Sequence, residues 1–199
     1  LASIGWKCGK ESSRDSIDYV ARTNPYNPVV EYLKKVKEDK NIYPTDINKI
    51  SSLYLKTEDE LFDRMMKCFL IGAVNRAMNN GCKFDTCLTL KGKQGLQKSS
   101  FFKTLVPNPS WFTDTPIGKD KDNYLAVNSK WIIELSELES VTTRRSAGEV
   151  KAFLSSAEDT YRKPYGRGLV TSKRPSVCCA TVNKDEFLID ETGSRRFPV

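Results

Sequence analysis

The 199 residues suffice for one self-sufficient core, and 39% apolar with 29% charged residues excludes a disordered chain. No run reaches the roughly 20 apolar residues of a membrane span and no secretory leader opens the chain, so a cytoplasmic protein is expected. A net charge of +7 favours polyanionic partners without identifying one.

Six cysteines, Cys8, Cys68, Cys82, Cys87, Cys178 and Cys179, contain no C-x-x-C pair, and histidine is absent, so the usual zinc spacings cannot be built. Reduced, mostly buried thiols are expected. The chain opens at Leu1 without a methionine and stops at Val199 directly after a motif, which reads as a portion of a longer polypeptide.

Residues 1–26 show no clear periodicity and read as a loosely held lead-in. Asn27-Pro28 is a helix start, with Val29, Leu33 and Val36 on one stripe and Lys34, Lys35 and Lys37 facing water. A capping-box pattern at Thr57-Glu58-Asp59-Glu60 leads into Leu61, Met65, Phe69, Ala73 and Ala77 at helical spacing, with Gly81 placed to end the helix. Residues 27–85 are therefore expected to form a small helical subdomain. From Thr86 to Val199 strands alternate with loops and helices, the pattern of an α/β core.

The first chemical motif follows an apolar strand, Thr86 to Lys91. Gly92-Lys93-Gln94-Gly95-Leu96-Gln97-Lys98-Ser99-Ser100 has the layout of a phosphate-binding loop. Glycines let the backbone wrap phosphates, amides at a helix start point at the anion, lysine reaches the β and γ phosphates, and the serine hydroxyl holds magnesium. ATP and Mg2+ are the ligands this pattern implies. Gln97 departs from it by standing where the second glycine belongs.

Downstream, Lys130-Trp131-Ile132-Ile133-Glu134-Leu135-Ser136-Glu137 is an apolar strand ending in acid. A carboxylate there, Glu134 first and Glu137 second, organises a magnesium shell or activates water. Pro175 to Asn183 is another buried-looking strand, ending in Thr181-x-Asn183; the Asn183 amide is the candidate for orienting a lytic water, with a turn role as the plain alternative. Arg195-Arg196 on a turn before Phe197 supplies a guanidinium able to neutralise a transferred phosphoryl group from a neighbouring subunit.

Between the acid strand and the second strand, Ser146-Ala147-Gly148-Glu149 reads as the start of a helix carrying Val150, Phe153, Leu154 and Ala157. Arg162, Lys163, Tyr165 and Arg167 then flank Pro164 and Gly166, with Lys173-Arg174 beyond. Cations interleaved with tyrosines suit a loop that tracks single-stranded DNA, and equally a solubilising loop or a subunit contact.

This ordered set, from Gly92 to Ser99 through Trp131 to Leu138, Lys151-Ala152-Phe153-Leu154-Ser155, Tyr161 to Arg167, Thr181-x-Asn183 and Gly193 to Phe197, resembles the virulence-associated protein E family over residues 28–199. That family is similar to superfamily 3 helicases and to the helicase half of poxvirus-type primase-helicases, found largely in phages, plasmids and pathogenicity islands. The resemblance implies a P-loop NTPase of AAA+ type with a parallel central sheet, assembling into homo-oligomeric, usually hexameric, rings around DNA beside a possible primase domain. It also implies Lys98 and Ser99 at the Walker A positions, Glu134 as Walker B acid, Asn183 as sensor, Arg195 and Arg196 at the finger position, and Arg162 to Arg167 as the DNA-binding hairpin. Gln97 leaves a second reading open, a nucleotide-binding scaffold without significant hydrolysis. A small-molecule kinase is disfavoured, since no acceptor-binding region is evident.

Overall fold

A computed structural model describes residues 9–114, 127–136, 138, 144–162, 168–183 and 195–199. The chain divides into two compact units, Leu1–Asp39 and Lys40–Val199.

The first unit holds helices α1 (Lys10–Thr23) and α2 (Pro28–Glu38). Helix α2 starts as its sequence dictates: the Asn27 side chain accepts from the amides of Val29 and Val30, with Pro28 in the first turn. Within the expected lead-in, Lys10–Thr23 are helical, and none of the residues of this helix is buried.

In the second unit, short α3 (Ile50–Tyr54) and long α4 (Glu60–Met78) precede a four-stranded sheet. Capping of α4 differs from expectation. The Asp59 carboxylate, rather than the Thr57 hydroxyl, accepts from the Leu61 amide, because Thr57 is drawn to Ser51 Oγ at 2.9 Å. The buried stripe of α4 is Met66, Phe69, Gly72, Ala73 and Ala77, while Leu61 is exposed. Gly72 is required there: a Cβ would lie 2.1 Å from the Phe84 ring.

The sheet consists of β1 (Cys87–Lys91), β2 (Phe112–Thr113), β3 (Ile132–Leu135) and β6 (Val177–Val182), in the order β1-β6-β3-β2 with every pairing parallel. Two further strands, β4 (Glu158–Arg162) and β5 (Leu169–Lys173), form a separate antiparallel hairpin. Helices α5 (Lys98–Thr104) and α6 (Arg144–Ser155) lie between the strands in sequence. The expected class, an α/β core on a parallel sheet preceded by helices, is the class observed.

Period-two alternation divides the sheet into two faces. Ile133, Leu135, Cys178, Ala180 and Val182 join Val150 and Leu154 of α6 in one buried cluster. On the other face α5 delivers Phe102, packed edge-to-face on Phe69 of α4 at 5.8 Å, and the Trp131 indole donates to the Ala73 carbonyl of α4. Helix α6 begins at Arg144, so Ser146 lies within it rather than capping it, and Ala157 lies past its end.

Residues 196–198 run along the free edge of β1. The amides of Cys87 and Thr89 donate to the carbonyls of Arg196 and Pro198, while Leu88 and Leu90 belong to the β6 side. Phe197 is inserted into the α6-side core. Of the six cysteines expected to be mostly buried thiols, Cys87, Cys178 and Cys179 are buried, Cys82 is half-buried and Cys68 is exposed, all as free thiols, while Cys8 lies outside the described residues. Among the described residues no helix is long and apolar enough to cross a membrane.

Candidate functional site

The site forms where β1, β3 and β6 end, a place fixed by the parallel sheet: all three strands point their C-termini the same way, so the residues following them meet. Gly92 follows β1, Glu134 stands at the end of β3, and Asn183 follows β6. The sequence separates these segments widely; the strand order makes them neighbours.

The loop from Gly92 to Gln97 joins β1 to α5, whose first two residues are Lys98 and Ser99. Gly95 has φ +89°, a conformation glycine adopts without steric cost. Gln97 also lies in the left-handed region, at φ 54° and ψ 31°, as the residue just before the helix. For a side chain carrying a Cβ that conformation costs roughly 1–2 kcal/mol, which explains why a glycine is the usual occupant of this position. Lys93, Gln94, Gly95, Leu96, Gln97 and Ser100 are all exposed, so the loop presents its surface to solvent.

The Lys98 ammonium donates to three oxygens, the Gly92 carbonyl at 2.7 Å, the Lys93 carbonyl at 3.0 Å and Asn183 Oδ1 at 3.0 Å. It is thereby folded back over its own loop. At the next residue, Ser99 Oγ donates to Glu134 Oε1 at 2.6 Å, and Thr181 Oγ1 donates to the same oxygen at 2.7 Å. Glu134 is fully buried, and its second oxygen, Oε2, has no hydrogen-bond partner. A buried carboxylate oxygen without a partner carries a desolvation cost of a few kcal/mol. That orphaned oxygen beside a serine hydroxyl, with a lysine and an amide close by, fits a divalent cation and a polyphosphate.

The structure thus brings together Lys98, Ser99, Glu134 and Asn183, and adds Thr181. Arg195 and Arg196 are not with them. Arg195 is exposed, and Arg196 Nε lies 3.4 Å from Asp85 Oδ2, ahead of β1, at the end of that strand away from the loop. Glu137 lies outside the described residues.

The hairpin expected around Arg162 is present as β4 and β5, with Arg162 opposite Leu169 at its far end. Arg162 and Leu169 are exposed there. Lys163, Tyr165 and Arg167, with Pro164 and Gly166, lie outside the described residues. Arg174 is corrected: it is 2% exposed, so it cannot serve as part of a solvent-facing basic loop. Its guanidinium forks onto the buried Asp159 carboxylate, donates to the Phe153 carbonyl and stacks 4.3 Å from the Phe153 ring centroid. The Arg174 carbonyl in turn accepts from Arg76 of α4. These contacts anchor the base of the hairpin to α6 and α4.

The family model for the virulence-associated protein E-like domain matches residues 34–199. No curated protein matches the chain. Among solved structures, the apo structure of the NrS-1 C-terminal region (305-718) is similar at 16% identity and a TM-score of 0.46, covering 78% of this chain and 41% of that one. An A form apo structure of the same region gives 16% identity and a TM-score of 0.43, covering 78% and 40%. The chain thus spans about two-fifths of the length of the NrS-1 chains it matches.

Proposed function

The chain belongs to the virulence-associated protein E-like domain family, and from that premise we propose that it is the ATP-hydrolysing core of a helicase-like replication protein of a mobile element. The observation that carries this reading is the convergence of Lys98 and Ser99 at the start of α5, Glu134 in β3 and Asn183 just past β6 on one small polar site.

In this reading the Lys98 ammonium exchanges its carbonyl partners for the β and γ phosphates of ATP, and the loop amides around Gly95 hold the phosphate chain. Magnesium, held through Ser99 and Glu134, neutralises charge on the phosphates when bound. Asn183 orients the attacking water, and Glu134 or Glu137 takes its proton. Arg195 or Arg196 comes from the next copy of the chain, consistent with Arg196 lying at the far end of β1 from its own Lys98. The copies form a ring, most simply a hexamer, and the hairpin bearing Arg162, Lys163, Tyr165 and Arg167 tracks single-stranded DNA inside it, beside an upstream primase domain or protein.

One observation favours a second reading. Gln97, held left-handed in the phosphate loop, is consistent with a nucleotide-binding scaffold that turns over little.

The test is DNA-stimulated ATP hydrolysis by the wild type, Lys98→Ala, Arg196→Ala and a mixture of the two variants. Each variant alone should lose about 10³-fold in rate, and the mixture should regain activity because interfaces form that carry both intact halves. ATP binding without DNA-stimulated turnover would select the scaffold. Absence of ATP binding by the wild type would end both readings.

A further inference from the structure

We propose that Thr181 is a positioning residue that sets the orientation of Glu134 for the metal; this rests on the reading of the site as a magnesium-nucleotide site. Thr181 carries none of the roles assigned above. Its hydroxyl nevertheless makes one of the two hydrogen bonds that the buried Glu134 carboxylate receives.

The two donors differ in what they are free to do. Ser99 is the residue that a phosphate loop turns toward magnesium, so its bond to Glu134 Oε1 is surrendered when the site fills. The Thr181 bond to that same oxygen has no such competitor. It comes from β6, which is hydrogen-bonded on both sides, to β1 and to β3, and the β-branched side chain has few rotamers. With Oε1 held by Thr181, Oε2 remains the oxygen left over for a cation or its water. A ligand carboxylate held in this way by an outer hydrogen bond loses 10–100-fold in metal affinity, roughly, when that bond is removed.

Position on the strand adds a second consequence. Thr181 lies in β6 and Asn183 is the first residue past its end; the former bonds Glu134 and the latter bonds Lys98. The end of one strand and the residue that follows it therefore contact both the acid and the lysine.

The experiment compares wild type, Thr181→Val, Thr181→Ser and Thr181→Ala by the affinity for ATP with and without Mg2+, together with the melting temperature. The expected result is a fall of about tenfold or more in the Mg2+-dependent gain in ATP affinity for the Val and Ala variants. Metal-free ATP affinity should stay within about threefold, and the Ser variant should keep the gain, because it keeps the hydroxyl. A Val or Ala variant that folds and retains the full gain overturns the proposal, as does an equal loss of affinity with and without Mg2+. If either apolar variant fails to fold, the other and the Ser variant decide: a Ser variant with a lost gain also overturns it. Wild-type protein that binds ATP no better than Lys98→Ala would instead overturn the magnesium-nucleotide reading on which the proposal stands.

Discussion

Arg174 and Asp159 form a buried ion pair at the root of the β4–β5 hairpin, at 2% and 3% side-chain exposure, with the guanidinium fork engaging both carboxylate oxygens. Removing one member leaves the other charged and unpaired in the interior. Arg174→Met should therefore destabilise the protein by about 3–5 kcal/mol in chemical denaturation, whereas Arg162→Ala, on the exposed end of the same hairpin, should change stability by less than about 0.5 kcal/mol. Salt-dependent DNA affinity should respond in the opposite order, weakening for Arg162→Ala with a shallower salt slope. Equal stability losses for the two variants would contradict the burial argument.

The left-handed backbone at Gln97 gives a second expectation. Glycine there relieves roughly 1–2 kcal/mol of steric cost and concedes about 0.5–1 kcal/mol of unfolded-state entropy, for a net gain of up to about 1.5 kcal/mol. Gln97→Gly should raise the denaturation midpoint slightly and strengthen ATP binding, measured by titration. Gln97→Val, with a branched Cβ, should do the reverse. A Gly variant that binds ATP more weakly would mean that the glutamine side chain itself contributes to the site.

The buried thiols make the protein sensitive to alkali. Burial pushes the Cys178 thiol up to about 11 from an ordinary 9.0, and raises Cys87 and Cys179 well above it. A folded-state value raised in this way favours the protonated thiol, so its contribution is fully present below pH 9 and is lost as pH rises toward 11. Stability measured across that window should fall, and replacing Cys178 by Ala should flatten part of the slope. At pH 8 the exposed Cys68 should be alkylated rapidly while the three sheet thiols stay protected. Rapid modification of all of them in the native state would contradict their burial.

Much of the core was legible because local signals and global packing agree. Asn27-Pro28 caps α2 with the side chain the sequence offers, and the apolar runs before Gly92 and after Trp131 and Pro175 become the three central strands. Four of the site residues could be named because a strand followed by a polar residue is a local pattern, and a parallel sheet gathers such ends on one side. Thr181 could not be linked to Glu134 that way. It looks like one more β-branched strand residue, and only the neighbouring position of β3 reveals what its hydroxyl meets. Arg174 was hidden for the opposite reason: a cation beside Lys173 reads as surface until Asp159, fifteen residues earlier, is seen to pair with it. Helix α1 carries few apolar residues and none of them is buried, so its helical spacing was easy to pass over.

The short run at Arg196 to Pro198 stitches the far arginines to the same strand that feeds the phosphate loop. Between the Arg196–Asp85 pair and Gly92 lies one strand of five residues, a stiff spacer of about 16 Å. The arginine end and the lysine end of the chain are therefore held a fixed strand length apart, with no loop between them other than the one that begins at Gly92.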